Sequence, residues 1–340
     1  MQSKRGFLIG AITAASVIAG AVSPANAQAL PHIRWGYLLP PIAQIASIFT
    51  KKPELLKHLN KTYTFEAVYL RGSPLLVTAL AAKEIDLANL GFSSMNQAVV
   101  NAGLNDLRII FDESEDGIDG QFASETRVLK DSGINKIEDL KGKIAGTNVL
   151  GSAVDMQHRN MLRRHGLEVN RDYTFIETPF PTMKQMLLDK KIHTGFFPQP
   201  FASDPELVEK TKVLFTTVDS MGSMMANFTL GRAEFLKANR AAMVDFMEDY
   251  LRVIRWYYNP ANRKEAIEIV SEASKMPVPV LDTYLFTKRD NYRNLDGLPS
   301  LPAIQSNMKV QKDLGLTKSE INVEEHADLS MIKEAAARLK

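Results

Sequence analysis

The chain has 340 residues, 45% of them hydrophobic and 24% charged, with 41 basic and 39 acidic side chains and no cysteine. Lys4 and Arg5 are the only charges in the first 27 positions, so the rest carries 39 charges of each sign; this excludes the broad basicity of a nucleic-acid binder and any global field that would steer an anion. Without cysteine there is no disulfide, thiolate nucleophile, cysteine-ligated zinc or lipid anchor on an N-terminal cysteine.

In chain order, Lys4 and Arg5 precede an apolar run over 7–22 that is broken by Gly10, Thr13, Ser16 and Gly20. Ala25-Asn26-Ala27 then supplies a small-residue cleavage site, so 1–27 reads as a removable export signal rather than a membrane span. Residues 3–8 approach the twin-arginine export pattern, with Lys4 where the first arginine belongs. From residue 32 to residue 216 strands alternate with helices, the pattern of a mainly parallel sheet with helices on both faces.

One unit occurs twice within that span. Leu80-Ala81-Ala82-Lys83-Glu84-Ile85-Asp86 closes a helix and leads into a strand over 87–91; Leu187-Leu188-Asp189-Lys190-Lys191-Ile192-His193 does the same before a strand over 194–198. Strands over 64–70 and 173–178 precede these helices, and earlier strands begin at Ile33 and Lys143. Two similar β-α-β-α-β units, in a processed chain of about 310 residues that exceeds one core, predict two lobes with a cleft for a small ligand between them. After Gly231 helices take over: 233–258 stopped by Asn259-Pro260, 261–274 stopped by Pro277 and Pro279, and shorter ones near 279–286, 300–313 and 327–339. This tail is expected to cover the outside of the lobes. Extended stretches at 121–129 and 224–232 are the candidate crossings, which gives lobe 1 over 28–122 and 228–340, lobe 2 over 123–227, and a two-segment hinge.

In open α/β sheets ligands bind beyond the carboxyl ends of the strands, which directs attention to four strand-to-helix loops. Gly72-Ser73-Pro74 places a serine cap before a proline, Ser93 and Ser94 stand in capping-box spacing to Gln97, Gly151-Ser152-Ala153 leads to Asp155, and Thr182 leads to Gln185. Each gathers hydroxyls, free N–H groups and the positive end of a helix dipole, which suits a carboxylate, sulfonate or nitrate. Taken singly, such a cap serves its own helix; at equivalent places in a duplicated unit the four are expected to face one cleft. Tyr37, Leu38, Phe92, Phe197, Pro198 and Gln199 would supply the pocket wall, with one of Phe196 and Phe197 in the core, and Arg71 is either a partner for an acidic ligand or a solvated strand end. His158 lies on an apolar helical stripe and should pack; the other histidines show neither metal spacing nor a carboxylate partner on a recognisable motif. The acidic segment 112–119 begins like a calcium loop but has Ala123 at its twelfth position, so a solvated loop is expected, with the option of receiving the amine of a zwitterionic ligand. Walker, Gly-x-Gly-x-x-Gly, Gly-x-Ser-x-Gly and His-Glu-x-x-His patterns are missing, and no cofactor, metal or catalytic group is expected.

The order of export signal, Trp35-Gly36-Tyr37, Gly72-Ser73-Pro74-Leu75-Leu76, 79–86, the 134–143 segment with Asp139-Leu140-Lys141-Gly142-Lys143, and Gly151-Ser152-Ala153 resembles ABC-transporter substrate-binding proteins of the nitrate, sulfonate and taurine type, over most of residues 32–260. The resemblance implies the α/β two-lobed type II periplasmic-binding-protein fold and a monomeric, non-catalytic periplasmic receptor, not lipid-anchored. Such a receptor closes on a small solute and delivers it to an inner-membrane permease driven by an ATPase. It further implies ligand contacts through Tyr37, Leu38, Ser73, Phe92, Ser93 and Ser152. Two departures stand out: Leu39-Pro40-Pro41 in place of a small or polar first loop, and Lys83 where glycine is frequent. The apolar loop favours an organic acid with a carbon body, aromatic ones included, over bare nitrate. Enzymes acting on thiamine or menaquinone precursors share this fold and form the alternative class, and a sensing module that signals to a membrane receptor forms a third.

Overall fold

The computed structural model describes residues 29–38, 44–70 and 72–340; the export segment, the 39–43 loop and Arg71 lie outside the described residues. Ten strands are present among these: β1 (His32–Tyr37), β2 (Thr64–Tyr69), β3 (Leu87–Leu90), β4 (Leu107–Asp116), β5 (Glu125–Leu129), β6 (Lys143–Thr147), β7 (Tyr173–Glu177), β8 (Gly195–Phe197), β9 (Thr211–Thr216) and β10 (Met224–Arg232). The first sheet runs β2-β1-β3-β10-β4, with β10 antiparallel to both neighbours and the other pairs parallel. In the second half β8-β5-β9 is antiparallel, β6-β7 is parallel, and an Ala145–Thr194 bridge joins β6 to the start of β8. The resulting order, β7-β6-β8-β5-β9, repeats that of the first sheet, with β5 in the place of β10. In each half the strand arriving from the other half occupies the fourth position.

The duplication extends to atoms. Helices α1 (Gln44–Lys51), α2 (Ser73–Ala81) and α3 (Phe92–Val100) belong to the first half, and α4 (Ala153–Arg164) and α5 (Phe180–Leu188) to the second. Lys83 and Lys190 follow α2 and α5 with φ of 59° and 60°. Around them Lys83 N donates to Leu80 O and Glu84 N to Ala79 O, as Lys190 N does to Leu187 O and Lys191 N to Met186 O, the paired bonds that close a helix through a left-handed residue. The isoleucine two positions on then meets a bare strand backbone: a Cβ added to Gly36 would lie 2.6 Å from Ile85 Cδ1, and one added to Gly146 would lie 2.6 Å from Ile192 Cδ1. Glycine is required there because the isoleucine occupies the place of its side chain.

Helix α6 (Pro205–Lys210) precedes β9 and α7 (Thr217–Met221) follows it; the tail holds α8 (Ala233–Ala238), α9 (Arg240–Tyr257), α10 (Arg263–Ser274), α11 (Val278–Asp282), α12 (Leu301–Asp313) and α13 (Ser330–Ala337). The single helix expected over 233–258 is thus two, broken at Asn239 (φ −116°, ψ 22°). Nor does the tail merely cover the outside. Met243, Phe246, Met247, Tyr250, Leu251 and Ile254 put one apolar face of α9 into the main core. There Trp35, fully buried, meets Phe246 and Tyr250 edge-on at 5.7 and 6.0 Å. The Asp249 carboxylate on the same helix accepts from Lys57 N, His58 N and Tyr63 Oη at 2.8, 2.9 and 2.9 Å, fixing the segment ahead of β2.

β10 spans the expected return crossing and pairs within the first sheet from Met224 onward. The larger revision concerns 112–116. It is no solvated loop: Asp112 to Asp116 end the buried strand β4. Its acids find partners from the distant tail, Asp112 Oδ2 from Asn294 N at 3.0 Å and Glu113 Oε2 from Tyr250 Oη at 2.9 Å. Burial raises both carboxyls above their ordinary range, Asp112 well above, partly offset by the Asn294 N–H at Asp112 and by Arg293 at Glu113. Among the described residues no helix is long and apolar enough to cross a membrane.

Candidate functional site

Both halves contribute to one cavity of about 120 Å³. The N-termini of α2, α3, α4 and α5 all reach it, through Ser73, through Gly91 and Ser93, through Ser152 to Val154, and through Phe180. Four helix ends therefore present free N–H groups and positive dipole ends to one space. Apolar walls come from Leu38, Phe196, Pro198 and Met224, and amides from Asn148, Gln157, Asn227 and Asn291. The turns also approach one another across the gap: a Cβ at Gly72 would lie 3.7 Å from Val149, and one at Gly151 would lie 3.6 Å from Gln97 Nε2.

Of the residues singled out in the sequence, Leu38, Ser73, Ser93, Ser152, Ala153 and Pro198 line this cavity. Tyr37 is adjacent but packs on Tyr69 with ring centres 6.0 Å apart. Gly72 and Gly151 shape the turns; Phe92 is fully buried in the core. Ser94 and Gln199 are buried just behind the wall, with Ser94 Oγ and both amide atoms of Gln199 unpartnered. Thr182 is exposed, and its hydroxyl donates to Pro179 O at 3.0 Å.

The capping details differ at three of the four loops. Gly72, not Ser73, caps α2, so Pro74 takes the second helical position, and Ser73 Oγ instead accepts from Gly91 N at 3.4 Å. Gly91 caps α3, leaving Ser93 and Ser94 inside its first turn without a side-chain cap. Pro179 caps α5, one turn ahead of Thr182, because Pro181 already sits in helical backbone. Ser152 does cap α4: its Oγ accepts from Asp155 N at 3.3 Å and donates to Asn148 Oδ1 at 2.7 Å, while Asp155 accepts from Gly151 N at 2.8 Å.

The acidic segment, expected as a solvated loop with the option of meeting an amine, instead forms part of the wall. Ser114, Glu115 and Asp116 of β4 line the cavity with Ser124. Asp116 accepts from Ser124 N and Thr217 Oγ1, both at 2.9 Å, and burial still pushes its carboxyl above the usual range. Asn291, from the tail, carries no signal in its own neighbourhood that would have marked it.

His158 is fully buried among Phe175, Phe196 and Phe215, its Nδ1 3.2 Å from Val154 O, and burial lowers its pKa to about 4. Other histidines do have carboxylate neighbours that spacing could not reveal. His58 Nε2 lies 3.2 Å from Glu248 and its Nδ1 3.8 Å from Asp245, across some of the longest separations in the chain. These three side chains converge closely enough for an ion, but Arg338 stands 2.8 Å from Asp245 and Arg252 2.7 Å from Glu248, so cations already balance the cluster.

The model of the NMT1-like family matches residues 44–271. No curated protein matches the chain in sequence. Among solved structures, the periplasmic aliphatic sulphonate binding protein SsuA from Escherichia coli aligns with a TM-score of 0.68 at 18% identity, over 87% of this chain and 92% of that one. The periplasmic nitrate-binding protein NrtA from Synechocystis PCC 6803 gives 0.70 at 15%, over 92% and 90%. The desulfurization enzyme DSZB gives 0.65 at 10%, over 91% and 100%. The fold is that of the periplasmic binding proteins, and it is one that an enzyme also uses.

Proposed function

The chain belongs to the NMT1-like family, and from that premise and the cavity described above we propose that it is the solute-capturing component of an ABC importer. It works in the periplasm and delivers its load to an inner-membrane permease and ATPase. The observation that carries the reading is the convergence of four helix N-termini from two duplicated halves on one partly open cavity. A small organic acid, sulfonate or carboxylate, with an apolar or aromatic body fits that arrangement: N–H groups of the helix ends, including the turn capped by Ser152, and the hydroxyls of Ser73 and Ser93 meet the acid, and Leu38, Phe180 and Phe196 meet the body. Lobes over 28–122 with 228–340 and over 123–227 turn about the crossings, and solute bound to both favours the closed form by its differential affinity for it. Moving closure from rare to dominant takes about 5.5 kcal/mol of such preference.

Capture without catalysis is favoured by the state of the lining hydroxyls. Ser152, whose Oγ makes two hydrogen bonds, donates to an amide rather than to a base that would activate it. Small-angle scattering of the purified chain, with mass spectrometry of whatever co-purifies, tests the proposal. A bound organic acid and a solute-dependent compaction are expected. Conversion of the extracted compound to a product on incubation would instead place the chain with the enzymes of this fold.

A further inference from the structure

The cavity wall holds charges that the reading above does not use. Glu115 and Asp116 both line it and are only 9% and 8% exposed. Glu115 Oε1 accepts a hydrogen bond from Ser223 Oγ, and Asp116 is bound to Ser124 and Thr217. Among the described residues neither carboxylate enters an ion pair, Glu115 Oε2 has no hydrogen-bond donor, and no lysine, arginine or histidine lines the cavity. Burying carboxylates without a cation is unfavourable, and it is tolerated where a partner arrives from elsewhere. At the same time the four helix ends of the same cavity favour negative charge. One space thus offers an anion-seeking wall and a cation-seeking wall.

We infer that Glu115, supported by Asp116, forms the subsite for a positively charged or N–H-donating group of the solute, so that the cleft is built for a zwitterion with its acid at the helix N-termini and its amine at the end of β4. The inference rests on the capture reading and names the class of solute within it. An ammonium or amidinium group at Glu115 gains a charge-assisted hydrogen bond and satisfies the free oxygen. A simple acid would leave that oxygen to water and add a further negative charge to a cavity that already holds two carboxyl groups.

Matched triples of probes test it by calorimetry on the full chain: 3-aminopropanesulfonate, propanesulfonate and propylamine; 4-(aminomethyl)benzoate, 4-methylbenzoate and 4-methylbenzylamine. In the triple that binds, the zwitterion should bind at least tenfold more tightly than the acid lacking its amine, and Glu115→Gln should erase that ratio, a comparison within one variant that cancels any change in closure common to both solutes. The wild-type ratio needs no variant, and Asp116→Asn provides a second one if Glu115→Gln does not fold. Equal affinity for zwitterion and amine-free acid, or a ratio untouched by Glu115→Gln, overturns the subsite and leaves solute capture standing. Silence from every probe at millimolar concentration, with nothing co-purifying, overturns capture and the subsite together.

Discussion

The glycine and isoleucine contacts that recur in the two halves allow a quantitative test of the duplication that frames the cleft. In Gly146→Ala the new Cβ would lie 2.6 Å from Ile192 Cδ1, about 1 Å inside ordinary contact between carbons at 3.5–4.0 Å. Ile192 is fully buried, so Cδ1 has nowhere to retreat. Overpacking of this kind costs about 1–3 kcal/mol, less about 0.5–1 kcal/mol gained by replacing glycine in a strand. Ile192→Val alone removes Cδ1 and should cost about 0.5–1.5 kcal/mol. In the double variant the nearest remaining Ile192 atom, Cγ1, stands at 3.7 Å, an ordinary contact, so the glycine substitution becomes neutral or favourable and the coupling is about 1–3 kcal/mol. The equivalent pair in the first half should be rescued less completely, since a Cβ at Gly36 also meets Leu76 Cδ2 at 2.6 Å, which Ile85→Val leaves in place. Urea unfolding followed by circular dichroism, with equal slopes required before energies are compared, gives all four corners of each cycle. Additivity within about 0.5 kcal/mol at Gly146 and Ile192 would refute the reasoning.

Four further outcomes follow from single contacts. Asp249→Ala leaves the buried Tyr63 hydroxyl and two part-buried backbone N–H groups without their acceptor and should cost about 2–4 kcal/mol in the same unfolding assay. Lys83→Gly and Lys190→Gly relieve left-handed backbone at the ends of α2 and α5, and each should raise stability by about 0.5–1 kcal/mol; a loss at both would contradict the helix-closing role given to these residues. Ser152→Ala removes the one side-chain cap among the four cleft helices, with about 1 kcal/mol less stability and weaker binding of acidic solutes by titration. Burial raises the folded-state pKa of Asp112, Glu113, Asp116 and Asp290, so the folded chain holds protons that the unfolded one releases; their contribution is complete below the unfolded values near 4 and is lost as pH rises through the folded ones. Melting temperature should therefore decline from mildly acidic pH toward neutrality, and Asp112→Asn should flatten the decline.

What the sequence revealed follows from how local the physics is. The repeated pattern over 80–86 and 187–193 is legible because a left-handed closing residue, a charged exposed turn and an isoleucine packed on a strand glycine are set within a few residues of one another. Helix starts were legible to within one turn, but a serine next to glycine or proline does not say which of them caps. The caps are Gly72, one residue ahead of Ser73, and Gly91, two residues ahead of Ser93. The acids of 112–116 misled for the opposite reason. Charge density on its own indicates solvent, while the groups that make burial tolerable, Tyr250, Asn294 and Arg293, are supplied by a tail more than a hundred residues away. Asn291 in the cavity wall and the partners of His58 were hidden by the same distance.

The acids at the end of β4 do more than face the cavity, because the chain passes between its halves beside them. Asp116 takes Ser124 N on the outward crossing and Thr217 Oγ1 ahead of the return, and Glu115 takes Ser223 Oγ on the return itself. Two consecutive residues thus tie both crossings and also form part of the wall that a solute meets. A solute group that competes with Ser223 for Glu115 changes a bond that holds the return crossing. A solute that touches only the helix N-termini acts on the crossings solely by bridging the halves. On the proposed capture reading, recognition and posture would in the first case share a side chain, and the differential affinity that favours closure would originate in the hydrogen bonding of β4.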